Sequence, residues 1–228
     1  MHALSKVLDK FSIERNVALD FGSGSGDFSR LLSSMFLNVI SFDISDVMKN
    51  LNQDKNRMFK NIEFYSGNFE ENINLNDGTL NLILSVTVLG HLMDEKVLNN
   101  YLNFFYQKLK SDGLIIAFEY TPENSMNPSE YQRFLTFLEW KKIFNNNNFD
   151  LVKAYGFYSP SESPVNSFKQ YKSNFSIKWL NYFKMFEFAK KRISKIARKY
   201  VLNSEDYFWN AKDDDLMKIM IFKKQITI

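Results

Sequence analysis

Residues 17–28 read Val-Ala-Leu-Asp-Phe-Gly-Ser-Gly-Ser-Gly-Asp-Phe and set Gly22, Gly24 and Gly26 between an apolar run and a helical pattern. Glycines at such a turn permit positive φ and let a ligand approach the backbone without Cβ clashes. Free N–H groups where the helix starts favour an anionic or polar ligand group. A dinucleotide turn needs G-x-G-x-x-G, but the pattern here is D-x-G-x-G-x-G, with Ser29 where the last glycine would fall. Asp20, just before the glycines, would repel a pyrophosphate and attract an ammonium group. Other reactive groups are sparse. There is no cysteine, which excludes thiolate zinc sites and cysteine nucleophiles. The two histidines, His2 and His91, are too few for a histidine metal centre. No metal site is expected: Asp213, Asp214 and Asp215 read as a charged turn, and His2 reads as a disordered terminal residue without a role.

These residues have a family likeness. LDFGSGSGDFSRLL resembles motif I of the class I S-adenosylmethionine (SAM)-dependent methyltransferases. SFDIS resembles the acidic end of their second strand, YSGNFEE the segment after the third, and LILSVTVLGHL the fourth strand and its loop. LKSDGLIIAFEY is similar to the LKPGG-plus-fifth-strand signature, with Ser-Asp for Pro-Gly, while FDLVKAYGFY and MKIMIFKK match the last two strands. The resemblance spans roughly residues 15–158 and 216–224. It implies SAM as cofactor, held by Asp20, Gly22, Gly24 and Gly26. It also implies Asp43 on both ribose hydroxyls beside Ile44, Asn68 and Phe69 near the adenine, and Ser85 at the end of the fourth strand. Asn68 stands where an aspartate is commoner. Phe28 and Phe69 are expected to pack the core or wall the site.

The fourth strand lacks the Asn/Asp-Pro-Pro-Tyr/Phe ending with which relatives hold a planar amino group, so nucleic-acid N-methylation is disfavoured. The V-L-x-H-x form resembles instead the small-molecule branch, including O-methyltransferases of sugars and surface glycans in polysaccharide biosynthesis. A polysaccharide or lipid-linked precursor is the implied acceptor, and a small-metabolite or lipid methyltransferase is the alternative. A non-catalytic SAM-fold binding protein is the alternative of another class. Methyl transfer from a sulfonium needs alignment and removal of the acceptor's hydroxyl proton. His91 suits that removal, or else it hydrogen-bonds the backbone and shapes the pocket. Glu119 is a second catalytic candidate, with Asp94, Glu95 and Tyr120 behind it. Glu119 and Tyr120 end the fifth strand, at the carboxyl edge where such sheets bind substrates.

The elements that must position these groups alternate. Segments 16–21, 38–44, 80–88 and 114–120 are apolar without strict alternation, as strands buried on both faces are. Helical patterns follow at 27–35, 46–59 and 96–109, with a turn at 111–113. A further helix is expected over 131–144, then strands over 149–157 and 216–223. Repeated βα units indicate an α/β, doubly wound sheet. Family likeness makes it a seven-stranded, Rossmann-like methyltransferase sheet whose last strand is antiparallel.

The chain of 228 residues is 45% hydrophobic and 24% charged, which excludes wholesale disorder. A net charge of +3 conceals asymmetry: residues 161–204 hold ten Lys or Arg against Glu162 and Glu187. The expected organisation is a SAM-binding domain at 1–158 and 216–228, with 159–215 as an inserted basic, aromatic-rich helical lobe. Such a long connection points to function; it is read as building the acceptor side of the cleft. Within it, Trp179, Phe183, Phe186, Ile193, Ile196 and Tyr200 share a stripe over 175–200. The segment reads as a helix packed on the domain, as a membrane-surface helix, or as a phosphate-binding surface. Peripheral membrane association is kept as a partner reading, and nucleic acid is disfavoured. With no secretory signal or spanning segment evident, the expected location is cytoplasmic, at the inner face of the membrane.

Overall fold

The computed structural model describes residues 2–156, 209–210 and 217–225. Helix α1 (His2–Leu8) leads into β1 (Val17–Phe21), α2 (Asp27–Ser33), β2 (Asn38–Asp43), α3 (Asp46–Asn56) and β3 (Ile62–Ser66). Next come α4 (Phe69–Asn72), β4 (Leu80–Val86), α5 (Glu95–Lys108) and β5 (Leu109–Tyr120). A hairpin of β6 (Met126–Ser129) and β7 (Gln132–Phe134) precedes α6 (Phe137–Asn146), β8 (Phe149–Gly156), β9 (Trp209–Asn210) and β10 (Met217–Lys224).

The main sheet has the order β3-β2-β1-β4-β5-β10-β8-β9. Strands β1 to β5 pair in parallel, and β10 runs antiparallel between β5 and β8. This is the doubly wound sheet expected, with seven main strands and the two-residue β9 as an eighth against β8. Apolar residues on both faces of the central strands explain the layering. On one face Leu4, Val7, Leu8, Leu32 and Phe36 pack with Ala18, Leu82, Leu84 and Ile116. On the other, Phe69, Leu98, Leu102, Phe105, Trp140 and Phe144 pack with Leu19, Phe21, Ile83 and Ala117. The chain order reverses between β1 and β4, which opens a crevice at their carboxyl ends. No helix among the described residues is long and apolar enough to cross a membrane.

Several expectations need correction. The helix expected over 131–144 starts only at Phe137, because Thr136 and Glu139 form a reciprocal capping box that fixes its first turn. The residues before it make the β6–β7 hairpin. The turn expected at 111–113 is an irregularity inside β5, where pairing steps from Leu80–Leu109 to Leu82–Leu114. A Cβ on Gly113 would meet the Leu109 side chain at 2.8 Å and the Leu80 carbonyl at 3.0 Å, so a larger residue there would have to displace its neighbours. His2 opens α1, whose Leu4, Val7 and Leu8 are buried, so that terminus is an ordered cover for the sheet. The expected helix at 175–200, and 159–215 apart from Trp209 and Asn210, lie outside the described residues.

Candidate active site

All three glycines of the first turn have positive φ: 75° at Gly22, 51° at Gly24 and 80° at Gly26. Their surroundings differ. A methyl group on Gly22 would collide with Val88, and one on Gly26 with Asn52 and Asn56, whereas one on Gly24 would meet nothing within 4 Å among the described residues. Gly22 and Gly26 are therefore gripped by the protein, and Gly24 alone faces open space. The N–H of Gly24 donates to Asp43 Oδ2 at 2.8 Å, and the N–H of Ser45 donates to Asp43 Oδ1 at 2.9 Å. These bonds hold Asp43 against the glycine turn and leave half of its acceptor positions for a ligand. Ile44 follows it, 75% exposed.

Asp20 is buried beneath the turn, where Ser29 Oγ donates to its Oδ2 at 2.6 Å. Burial pushes its carboxyl up to about 7 against the opposing pull of Ser29. Around it lies a polar layer that the sequence reading missed. Asn52 Nδ2 reaches the hydroxyls of Ser41 at 2.8 Å, Ser23 at 3.1 Å and Ser29 at 3.2 Å. Asn56 Nδ2 donates to Asn52 Oδ1 at 2.8 Å and to the Gly26 carbonyl at 2.9 Å. Both asparagines are fully buried. The pair clamps α3 onto the glycine turn.

Of the remaining cofactor candidates, Asn68 is exposed and donates to Glu71 Oε1 at 2.7 Å. Phe69 is fully buried among Phe21, Phe42, Tyr101 and Phe104, so its side chain belongs to the core and only its backbone opens α4 toward the edge. Phe28 packs against the cluster on the opposite face. Ser85 sits near the end of β4 beside Phe21, and its buried Oγ meets no partner among the described residues.

The loop after β4 is held under strain. Thr87 has φ 55°, unfavourable for a β-branched residue, and its N–H donates to the Phe118 carbonyl at 2.7 Å. Glu119 secures the loop: its Oε1 accepts from Val88 N at 3.0 Å and Leu89 N at 2.9 Å, and the Gly90 N–H also faces it. Burial raises this carboxyl to about 7. Glu119 thus faces the loop's backbone and positions the loop. His91 is exposed at the loop's end, with Nδ1 2.9 Å from the Tyr131 carbonyl of the β6–β7 hairpin. A carbonyl only accepts, so Nδ1 carries the proton, and Nε2 of the neutral ring keeps its lone pair. Asp94 and Glu95 are spent on α5, the first as its N-cap and the second in its first turn. Tyr120 packs against Phe134 with its ring tilted by 35°, centroids 4.7 Å apart. Among the described residues no group of His, Asp and Glu is gathered as a metal site would need.

Residues 19–117 match the family model described as a methyltransferase domain. The fold is that of solved methyltransferases. A SAM-dependent methyltransferase from Clostridium acetobutylicum aligns with TM-score 0.63 at 12% identity, covering 99% of this chain and 90% of that one. The YcgJ protein from Bacillus subtilis aligns with TM-score 0.61 at 18% identity over 99% of both chains. Phosphoethanolamine N-methyltransferase 2 from Haemonchus contortus, solved with SAM, aligns with TM-score 0.61 at 15% identity over 97% of this chain and 52% of that one. No curated protein matches the sequence. Residues 19–117 thus form a methyltransferase domain on the fold shared with solved SAM-dependent methyltransferases, and SAM is its cofactor. The residues present fit that cofactor: the space before Gly24, the spare acceptor positions of Asp43 and exposed Ile44 lie together at the crevice between β1 and β4.

Proposed function

We propose that the protein O-methylates a hydroxyl of a sugar or surface glycan, with His91 as general base. SAM supplies an electrophilic methyl group whose leaving group is neutral. The glycine turn, Asp43 and Ile44 would hold it, and the protein's further task is to take a proton from the acceptor. The observation carrying the reading is the bond from His91 Nδ1 to the Tyr131 carbonyl, which leaves Nε2 as the ring nitrogen able to accept a proton, in the loop that follows β4. Glu119 supports it from below by tying Val88 and Leu89 in place. The sugar and glycan choice rests on the likeness of the Val88–His91 loop to the small-molecule branch.

The test is incubation of isotope-labelled SAM with cell-envelope glycan fractions, followed by mass spectrometry of the products. A labelled methyl ether on a sugar supports the reading, and label on nitrogen or on a lipid chain removes it. Activity is expected to survive EDTA; loss restored by magnesium would replace the metal-free mechanism and direct attention to Asp213, Asp214 and Asp215. The surplus of Lys and Arg over 161–204 supports a site of action at an anionic membrane face. Failure to co-sediment with anionic vesicles would remove that part alone.

A further inference from the structure

Arg133, at the centre of β7, is 8% exposed, and its Nε and Nη2 are buried with no acceptor among the described residues. A buried guanidinium whose N–H groups lack acceptors is a costly arrangement in a protein. The Glu139 carboxylate feels the charge of Arg133, but its Oε2 accepts from Thr136 N at 2.8 Å, from Thr136 Oγ1 at 2.7 Å and from Ser125 Oγ. No ion pair joins it to Arg133 among the described residues. The two orphaned atoms are the informative ones. Nε–H and one Nη2–H run parallel along a single edge of the guanidinium, the edge that takes a carboxylate or phosphate through two bonds at once.

The position of β7 says which ligand would carry that group. Its neighbour Tyr131 supplies the carbonyl that fixes His91, and the Arg133 carbonyl lies 2.7 Å from where a Cβ on Gly90 would stand. Arg133 thus belongs to the strand that leans on the His91 loop, whereas the cofactor residues Gly24 and Asp43 sit together at the glycine turn. We propose that Arg133 seats an oxyanion carried by the methyl acceptor, a carboxylate or a phosphate on the molecule whose hydroxyl is presented to His91. This deepens the reading of the same site as an O-methyltransferase and rests on it. An acidic or phosphorylated sugar would satisfy both groups at once, and a neutral sugar would leave the guanidinium unpaired.

The test follows the Nε–H resonance of Arg133 by NMR in protein saturated with S-adenosylhomocysteine, during titration with D-glucuronate, D-glucose 6-phosphate and D-glucose. The expected result is a saturable shift with at least one anion in the millimolar range, none with glucose, and unchanged S-adenosylhomocysteine affinity in Arg133→Gln. The anion giving the tighter curve assigns carboxylate or phosphate. No saturable shift with either anion overturns the proposal, as does an equal response to glucose. A tenfold loss of S-adenosylhomocysteine affinity in Arg133→Gln also overturns it, by giving Arg133 to the cofactor's own carboxylate. If Arg133→Gln does not fold, the wild-type titration decides alone. Wild-type protein that fails to bind S-adenosylhomocysteine would sink the methyltransferase reading itself, a result separate from any outcome at Arg133.

Discussion

At Nε2 of His91 the proposed chemistry comes down to one lone pair, held in place by a bond on the other side of the ring. His91→Asn is expected to lower turnover about a hundredfold or more while S-adenosylhomocysteine affinity stays within twofold, since only proton transfer loses its acceptor. Near-normal turnover in that variant would make His91 a shaping residue. Asp43→Ala is expected to weaken S-adenosylhomocysteine binding by about 1.5–3 kcal/mol, the worth of hydrogen bonds to a charged acceptor. Calorimetric titration checks it, and unchanged affinity would take Asp43 out of the site. Both residues could be singled out in the sequence because Asp43 ends one strand and His91 stands in the loop after another, at motifs that resemble the family's. Glu119 was legible only as a carboxylate at the end of a strand. That its oxygen points at the backbone of the next loop depends on the pairing of β4 with β5 and on the path of residues 87–91, which no local pattern encodes.

The elements repeat this contrast. Continuous apolar runs revealed β1, β2, β4 and β5 because burial on both faces leaves that mark. Helix α3 defeats the same logic: Val47, Met48 and Leu51 form an apolar stripe yet are 73%, 41% and 49% exposed, while Asn52 and Asn56 are fully buried. The helix turns its asparagines inward because Gly26, Ser23, Ser29 and Ser41 lie opposite, and those partners are remote in sequence. In β7 and α6, periodicity alone overran the boundary that the spacing of Thr136 and Glu139 marks. The clamp by α3 separates the glycines experimentally. Gly24→Ala puts its methyl into open space and costs only the left-handed strain, about 1–2 kcal/mol, so the fold should survive while cofactor affinity falls. Gly26→Ala adds a collision with two buried asparagines and should cost about 3 kcal/mol or more, lowering the melting temperature by roughly 6–12 °C. Equal melting temperatures for the two variants would show that α3 does not grip the turn.

Across the whole molecule, two buried carboxyls set how stability responds to pH. Asp20 lies on the α2 and α3 side of the sheet among Ser29, Ser41 and Asn52, and Glu119 ends β5 against the His91 loop. Burial raises both to about 7, from ordinary values of 3.8 and 4.5. Between the ordinary and raised values the folded protein binds more protons than the unfolded chain, so stability falls as pH rises through that window. The opposite class, Glu14, Asp27 and Glu139, is held below the ordinary range by Lys110, Lys55 and Ser125 respectively, and stabilises the fold above that range until acid protonates it. Stability of the cofactor-free protein is therefore expected to peak near about pH 5 and to decline toward about pH 8, by at most on the order of 3 kcal/mol for each raised carboxyl. Glu119→Gln isolates one of them, because the amide oxygen still accepts from Val88 and Leu89 but carries no charge to desolvate. The variant should melt closer to wild type at about pH 5 and above it at about pH 8, with a flatter profile between. Parallel profiles for wild type and Glu119→Gln would mean that the Glu119 carboxyl is ionised throughout that window, its charge carried by the loop's N–H groups.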